Sequence, residues 1–402
     1  MTSSPIKQLS YTALLIMSIL WVFTSCSKIG TKPNAVLATT TGNDSTVVVD
    51  SLPSFNSPSG IAVDATGNIY VADYGNNLIR KITSAGLVST LAGSGTQGSA
   101  NGSGVLASFT RPAGVAVDAS GNLYIADSGN NLIREITPAG LVSTLAGTSD
   151  TTGAIINGAA ATATFNDPVG VALDASNNVL VADAANSLIR KITTGGIVSI
   201  FAGVVDTSTT SGTTPLSLLL NPTGVTVDGT GNVFVAGYLS NTILEASPAG
   251  TLNIFAGTGQ PGATNGAGSS ASFYLPTSVA LDAADNVYVA DATNNLIRKI
   301  TPAGVVSTFA GSGAVGDIDS TGTAASFNGP SGLAVDAAGN VYVADTDNDL
   351  IRKITPAGVV STIAGNGEPG SKNGIAVARR NKKPLKNTSR ARFSMLYKKR
   401  TY

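Results

Sequence analysis

Short runs of apolar residues alternate with turn-forming residues along most of the chain. In the first such unit the runs extend from Gly60 to Asp64, Ile69 to Asp73, Leu78 to Ile82 and Leu87 to Ala92. The intervening segments contain Gly and Asn, which supply the positive φ angles that tight hairpins need. Apolar side chains fall on both faces of the second run, as in a sheet covered on both sides. Each unit therefore predicts four antiparallel strands, with the small Ala62 in the crowded innermost one.

The unit occurs six times, and each copy begins near a proline. These prolines are Pro58, Pro112, Pro168, Pro222, Pro276 and Pro330. Their successive spacings are 54, 56, 54, 54 and 54 residues. A large apolar residue stands three positions before each proline, at Phe55, Phe109, Phe165, Leu219, Phe273 and Phe327. A four-stranded repeat of this length favours radial closure over an open solenoid, which would need polar end caps. We predict an all-β fold, a six-bladed β-propeller of four-stranded antiparallel blades over residues 52–374.

The repeated motifs resemble those of the NHL-repeat family of β-propellers. They read PSGIAVD from Pro58, GNIYVAD from Gly67 and NLIRK from Asn77, and the resemblance extends from Phe55 to Gly365. It implies the propeller fold strongly. It implies little about activity, because the family includes scaffolds, sensor domains and a few enzymes.

An aspartate ends the second strand in five units, and an arginine follows seven residues later. The pairs are Asp73 and Arg80, Asp127 and Arg134, Asp183 and Arg190, Asp291 and Arg298, and Asp345 and Arg352. The fourth unit has Gly237 and Leu244 instead, so both partners are lost together. Joint loss predicts structural ion pairs, within a blade or between adjacent blades, because a buried charge without its partner is costly. A ring of metal-binding carboxylates is the alternative, but residues that almost every blade shares are better explained by what every blade needs.

A second aspartate precedes the first hairpin turn of every unit. These residues are Asp64, Asp118, Asp174, Asp228, Asp282 and Asp336. A side chain at this position can accept hydrogen bonds from the turn that follows it. We interpret this set as structural.

Variation among the units is concentrated on one face of the predicted disc, which carries the starts of the first strands and the loops between the second and third strands. A ligand site breaks the sixfold pattern, so the variable positions of this face are the candidates. Those with useful chemistry are Tyr74, Arg111, Asp167, Tyr238 and Asp347. Unconstrained loops would vary in the same way, and the divergent fourth unit is either a specialised or a decayed blade.

The composition disfavours catalysis. The chain has no histidine, which removes histidine-dependent acid–base catalysis and the commonest ligand for zinc and copper. Similar propeller lyases depend, by resemblance, on histidines, and lactonase-type propellers on a metal held by Glu, Asp and Asn. Glutamate occurs only at Glu135, Glu245 and Glu368. We predict no catalytic residues, no metal and no cofactor.

The start of the chain has the pattern of an export signal. Lys7 precedes an apolar run from Tyr11 to Phe23, which is too short to span a bilayer and is typical of a signal-peptide core. Two small residues then precede Cys26, the only cysteine, as in bacterial lipoprotein signals. We expect residues 1–25 to be a lipoprotein-type signal peptide, Cys26 to be lipidated, and residues 26–51 to form a flexible tether. An ordinary secretory signal with an incidental cysteine and an uncleaved anchor are the alternatives.

The end of the chain differs in charge from the rest. Ten of the 24 basic residues lie between Arg379 and Arg400, which leaves 14 basic against 24 acidic residues up to Ala378. The acidic body makes nucleic-acid binding improbable. We expect residues 375–402 to be a disordered basic tail, with a membrane-touching tail and a truncated further blade as alternatives. An extra edge strand is expected from Val47–Val49 or Ala35–Thr40.

These features together predict a noncatalytic binding or scaffold propeller at the bacterial cell envelope. It would be exported as a monomeric membrane lipoprotein, anchored through Cys26 and facing the periplasm or the cell surface. Its variable face would recognise a protein, a peptide or a glycan. A metal-dependent hydrolase or lyase acting in the central channel is the first alternative, and a structural spacer is the second.

Overall fold

A computed structural model describes residues 52–149, 152, 154–204 and 218–376. The prediction of a six-bladed β-propeller is confirmed: the strands form six antiparallel sheets of four or five strands, one for each repeat. We number the blades 1 to 6 in chain order. Within the described residues no helix is both long and apolar enough to cross a membrane.

Each blade contains four principal strands that follow one another from the axis outwards. The first strands are Pro58–Val63, Pro112–Val117, Pro168–Leu173, Pro222–Val227, Pro276–Leu281 and Pro330–Val335. The second strands are Ile69–Asp73, Leu123–Asp127, Val179–Asp183, Val233–Gly237, Val287–Asp291 and Val341–Asp345. The third strands are Leu78–Ile82, Leu132–Ile136, Leu188–Ile192, Thr242–Ala246, Leu296–Ile300 and Leu350–Ile354. The fourth strands are Leu87–Ala92, Leu141–Ala146, Ile197–Ala202, Leu252–Ala256, Val305–Ala310 and Val360–Ala364.

Short segments complete this pattern. Two-residue strands pair with the fourth strands of blades 2, 3, 5 and 1, at Gly102–Ser103, Gly158–Ala159, Gly266–Ala267 and Gly374–Ile375. Single 3₁₀ turns lie at Tyr74–Asn76, Gly104–Leu106, Ser128–Asn130, Ala184–Asn186, Ala292–Asn294, Gly322–Ala324 and Thr346–Asn348. Five of these turns connect the second strand of a blade to its third.

The ring of first strands closes between blade 6 and blade 1. A Cβ atom on Gly332 of blade 6 would collide with the carbonyl oxygen of Ser59 in blade 1, and Gly60 approaches Ala113 of blade 2 in the same way. Only glycine allows backbones to come this close. Blade 5 has Ser278 at this position, and its hydroxyl accepts a hydrogen bond of 3.1 Å from the backbone N–H of Leu333. The tightest packing near the axis is therefore at Gly60 and its equivalents, two residues before Ala62.

The end of the described chain completes blade 1. Gly374 and Ile375 pair antiparallel with Val88 and Leu87 of the fourth strand. The last described strand thus crosses the domain boundary predicted at residue 374. The edge strands predicted at Val47–Val49 and Ala35–Thr40 lie outside the described residues, as do the predicted signal peptide, Cys26, the tether and the greater part of the basic tail.

Each predicted Asp–Arg pair forms an ion pair inside its own blade. Arg80 Nη1 lies 2.8 Å from Asp73 Oδ2, and both side chains are fully buried. The corresponding distances in the other blades are 2.9 Å for Arg134 and Asp127, 3.0 Å for Arg190 and Asp183, 2.8 Å for Arg298 and Asp291, and 2.7 Å for Arg352 and Asp345. Burial raises the pKa of Asp73 to about 6, against the opposing effect of the Arg80 charge. Since burying two charges is costly, these pairs fix the geometry of the blade more than they stabilise it.

The arginine also fastens the segment that leads into its blade. Arg80 donates from Nη1 to the carbonyl oxygen of Ser54 at 3.1 Å, and its guanidinium carbon lies 5.2 Å from the centre of the Phe55 ring. Asp73 accepts a hydrogen bond of 2.8 Å from the backbone N–H of Asn56. The aromatic residue three positions before the proline is therefore the partner of the arginine in a cation–π contact.

In blade 4 the aspartate, the arginine and the aromatic residue are all replaced together. Leu244 is completely buried in place of the arginine, and Leu219 replaces the aromatic residue. Near Gly237, Ser240 and Thr242 share a hydrogen bond of 2.6 Å, and the Ser240 hydroxyl donates to the Gly237 carbonyl at 3.2 Å. The space of the missing carboxylate is thus filled by two hydroxyls that satisfy each other.

Candidate functional site

A chamber opens at the propeller axis on the upper face, defined as the face that carries the starts of the first strands and the loops between the second and third strands. Its empty volume, including the open mouth, is about 930 Å³. The residue after each proline contributes to its wall, and these residues are Ser59, Ala113, Val169, Thr223, Thr277 and Ser331. We call this space the axial chamber. A concave space at the axis that residues of all six blades line is a candidate site for a small ligand.

Two tyrosines stand on the rim of the axial chamber. Tyr74 and Tyr238 are the first residues after the second strands of blades 1 and 4, and both line the chamber. Blades 1 and 4 are three blades apart in a ring of six, so the tyrosines extend from opposite sides of the axis. Tyr74 is partly exposed and Tyr238 is buried. Burial raises the pKa of both hydroxyls, and Tyr274 raises that of Tyr238 further. Both tyrosines are therefore neutral hydrogen-bond donors at physiological pH.

Two opposite charges occupy one sector of the same rim. Arg111 of blade 2 and Asp167 of blade 3 both line the axial chamber. Arg111 hydrogen bonds to the Tyr74 side chain, and its charge lowers the pKa of Tyr74 whereas that of Asp167 raises it. The buried Ser128 hydroxyl donates to Asp167 Oδ1. The two charges thus lie near the same tyrosine, each held by a neutral partner.

The backbone conformation before each proline orients the side chains of Arg111 and Asp167. All six preceding residues have positive φ, at Ser57, Arg111, Asp167, Asn221, Leu275 and Gly329, with values from 50° to 57°. This conformation is unfavourable for residues other than glycine, so contacts must hold it. Asn77 of blade 1 accepts a hydrogen bond of 2.9 Å from the N–H of Arg111, and Asn131 of blade 2 accepts one of 2.8 Å from that of Asp167. Each blade therefore positions the rim residue of the next.

A glycine makes room for the arginine on the rim. A Cβ atom on Gly129 would lie 2.7 Å from the carbonyl oxygen of Thr110 and 3.2 Å from Arg111 Nε. The loop and the arginine can therefore pack closely only without a side chain at this position. Arg111 therefore packs against the loop of its own blade.

The structure brings together four of the five residues predicted for the ligand face. Tyr74, Arg111, Asp167 and Tyr238 line the axial chamber. Asp347 does not belong to this lining: its carboxylate packs over Gly329, within 2.7 Å of where a Cβ atom would stand. Its loop backbone is held by a hydrogen bond of 3.1 Å from the Asp347 N–H to the Asn328 carbonyl.

The sequence-based prediction did not select the chamber residues that lie on the first strands, nor one residue at a variable loop position. Ser128 was overlooked although it occupies the same loop position as Tyr74 and Tyr238. The wall hydroxyls of Thr223, Thr277 and Ser331 could have been found from their position directly after each proline. Among the described residues no cluster of three acidic or cysteine side chains suits a metal ion.

A family model described as NHL repeat matches residues 55–82, 109–136, 165–192 and 327–354. These matches fall in blades 1, 2, 3 and 6. The chain is 31% identical over 284 residues to the protein SUPPRESSOR OF QUENCHING 1, chloroplastic, of Arabidopsis thaliana, covering 66% of this chain and 27% of that protein. It is 27% identical over 333 residues to NHL repeat-containing protein 2 of Homo sapiens, covering 73% of this chain and 46% of that protein. The chain spans less than half the length of these relatives.

Solved structures with the same architecture include binding proteins and enzymes. An auxiliary nutrient binding protein from Bacteroides thetaiotaomicron superimposes with a TM-score of 0.56 at 17% identity, covering 75% of this chain and 69% of that one. A streptogramin B lyase superimposes with a TM-score of 0.50 at 14% identity, covering 82% and 89%. At these identities the likeness concerns the fold alone.

Proposed function

Because the chain belongs to the NHL-repeat family of β-propellers, we propose that it acts as a noncatalytic binding module whose ligand enters the axial chamber from the upper face. The observation that carries this proposal is the convergence of Tyr74, Arg111, Asp167 and Tyr238 on one chamber. These residues come from four different blades and break the sixfold repeat. Their equivalents in the remaining blades are smaller or uncharged.

The chemistry of the lining supports binding over acid–base catalysis. The charged groups of the chamber are one guanidinium and one carboxylate among the described residues. An arginine does not give up its proton in proteins, and the chain offers no histidine as its partner. The tyrosines have raised pKa values and are poor bases at neutral pH. A guanidinium, a carboxylate and neutral hydroxyls in fixed positions are better suited to orienting a bound molecule.

We propose further that the module works at the bacterial cell envelope as an exported lipoprotein held through Cys26. The support comes from the sequence: the apolar run from Tyr11 to Phe23 and the small residues before Cys26. Labelling of the full chain with a palmitate analogue in a bacterial host tests this. Incorporation that Cys26→Ala abolishes is expected, and equal incorporation by the variant would contradict the anchor.

Ligand binding is tested with the full chain against a panel of amino acids, short peptides and saccharides by isothermal titration calorimetry. We expect saturable binding that Tyr74→Ala weakens by about tenfold or more, as for loss of an aromatic contact in a binding site. Leu141→Ala is the control, because Leu141 is exposed on the fourth strand of blade 2 and does not line the chamber. Binding that survives Tyr74→Ala and Tyr238→Ala together, in variants whose thermal unfolding shows them to be folded, would contradict the proposed site.

A further inference from the structure

The polar side chains that line the axial chamber are mostly hydroxyls. Eight of the ten polar residues in the lining carry one, and they come from five of the six blades: Ser59, Tyr74, Ser128, Thr223, Tyr238, Thr277, Ser278 and Ser331. The other two are the charged residues Arg111 and Asp167. A hydroxyl both donates and accepts hydrogen bonds, so this lining suits ligand groups that also do both.

The hydroxyls of the wall have two different roles. The buried Thr223, Thr277 and Ser331 each donate to a backbone carbonyl oxygen of the next blade, at 3.4, 3.2 and 3.2 Å, and thereby hold the wall together. Ser59 and Ser278 are only half-buried. Ser278 accepts a backbone hydrogen bond of 3.1 Å from blade 6, which leaves its own O–H to donate to a ligand.

Each charge of the rim already has a hydroxyl as its partner. Arg111 is exposed and hydrogen bonds to the Tyr74 side chain, whereas the five arginines of the blade interiors each face a carboxylate. Asp167 is half-buried and accepts from the Ser128 hydroxyl. These contacts leave further N–H donors on the guanidinium and further lone pairs on the carboxylate. Hydroxyls of a ligand can bind to both groups in the same way.

We propose that the axial chamber binds a neutral saccharide, whose neighbouring hydroxyls are held by Arg111 and Asp167. This proposal rests on the binding function proposed above and specifies its ligand. The forked guanidinium can donate to two adjacent oxygens of a sugar, and the two carboxylate oxygens can accept from two adjacent hydroxyls. The aromatic ring of Tyr74 offers a flat apolar surface for the C–H face of the sugar.

The charges of the rim favour a ligand without net charge. Burial raises the pKa of Tyr74, and the Arg111 charge then lowers it while the Asp167 charge raises it, so both charges lie near this tyrosine. An anion would be attracted by Arg111 and repelled by Asp167, and a cation the reverse. Every hydroxyl of a sugar can donate to the carboxylate or accept from the guanidinium. A saccharide therefore uses both charges without opposing either.

The test measures the affinity of the full chain for D-glucose, D-galactose, maltose and cellobiose by isothermal titration calorimetry, with L-leucine and triglycine as ligands of other classes. Arg111→Lys keeps the positive charge but replaces the planar fork by a compact ammonium group. Asp167→Asn removes the negative charge with a residue that tolerates positive φ. Asp285→Asn is the matched control, because Asp285 also has positive φ, is exposed and does not line the chamber. Thermal unfolding establishes that each variant is folded.

We expect saturable binding of at least one saccharide. Arg111→Lys should weaken it by about tenfold although the charge is kept, because an ammonium group does not reproduce the planar fork. Asp167→Asn should weaken it by a similar factor, since an amide has one accepting oxygen where the carboxylate has two. Asp285→Asn should bind as tightly as the unmodified chain.

The results that contradict the ligand differ from those that contradict the binding function. If L-leucine or triglycine binds, no saccharide does, and Tyr74→Ala weakens the binding, the chamber is a binding site but its ligand class is wrong. If none of the probes binds, or if saccharide binding is unchanged in Arg111→Lys and in Asp167→Asn, the saccharide assignment fails. If binding of any probe is insensitive to Tyr74→Ala and Tyr238→Ala, the proposed function fails together with it.

Discussion

Arg80 Nη2 donates a hydrogen bond of 2.8 Å to the side-chain oxygen of Asn373, which lies 293 residues further along the chain. The same nitrogen donates to the carbonyl oxygen of Lys372 at 2.9 Å. In blade 2 the corresponding contacts of Arg134 are made to Asn101 and Ala100, in the segment that leads into that blade. In blade 1 the end of the chain therefore supplies the hydrogen-bond acceptors of the buried arginine, whereas in blade 2 the segment before the blade supplies them.

The first prediction concerns this closure. Asn373→Ala removes the acceptor of the buried Arg80 and should lower the free energy of unfolding by about 1–3 kcal/mol. Urea denaturation followed by circular dichroism measures the change. Asn101→Ala is the control, because it removes the equivalent contact within the ring. We expect Asn373→Ala to cost at least as much, and a change near zero for Asn373→Ala alone would show that the contact does not contribute to closure.

A second prediction concerns the buried ion pairs. Arg134→Leu leaves Asp127 buried without its cation and should destabilise the protein by about 3–5 kcal/mol. Introducing the blade 4 set into blade 2, with Phe109→Leu, Asp127→Gly, Asn130→Ser and Leu132→Thr added, should recover part of this loss. Chemical denaturation of both variants decides the question. If the variant with all five substitutions is less stable than Arg134→Leu alone, the blade 4 residues do not compensate for the loss of the ion pair.

A third prediction concerns the glycines at the axis. Gly332→Ala places a methyl group against the Ser59 carbonyl of the neighbouring blade and should destabilise by about 1–3 kcal/mol or more through overpacking. Gly229→Ala is the control, since a Cβ atom on Gly229 meets nothing within 4 Å. Thermal unfolding should show a clearly lower midpoint for Gly332→Ala only. Equal midpoints would mean that the backbones can move apart at no cost.

A fourth prediction is the response of stability to acid. Burial by itself would raise the pKa of Asp64, but hydrogen bonds donated by Asn68, Thr66 and Tyr70 outweigh it and lower the pKa to about 2. A pKa below the unfolded value of 3.8 means that ionised Asp64 stabilises the fold above about pH 4, and that this contribution is lost as the pH falls towards 2. Asp64→Asn, which retains the turn acceptor, should therefore show a smaller loss of stability between pH 4 and pH 2. The measurement is urea unfolding at each pH, and identical losses in both proteins would contradict the assignment.

Much of the fold could be predicted from the sequence because its information is local. Apolar runs of fixed length, separated by Gly and Asn, define four strands wherever they occur, and six copies reinforce the pattern. The absence of both Asp and Arg at Gly237 and Leu244 indicated that the two belong together, which the distance between Asp73 and Arg80 explains. Ala62 lies in the innermost strand and is buried, but the closest approach between blades is at Gly60, which the sequence pattern did not indicate.

The site could be predicted only in part. The variable face indicated Tyr74, Arg111, Asp167 and Tyr238, and these residues share one chamber. The same reasoning also selected Asp347, which packs over Gly329 outside the lining. Loop variation identifies a face, but it does not give the direction of each side chain, which for Asp347 depends on its packing over Gly329 and on the hydrogen bond of its loop to Asn328.

The sequence by itself determined the repeat, the four strands of each blade and the residues that every blade needs, because strand periodicity and turn chemistry act over a few neighbouring residues. Only the tertiary structure decided that Tyr74, Arg111, Asp167 and Tyr238 line one chamber, and that Gly374–Ile375 completes blade 1. These relationships arise from bending six sheets into a closed ring, which brings into contact residues whose separation along the chain carries no signal of their proximity.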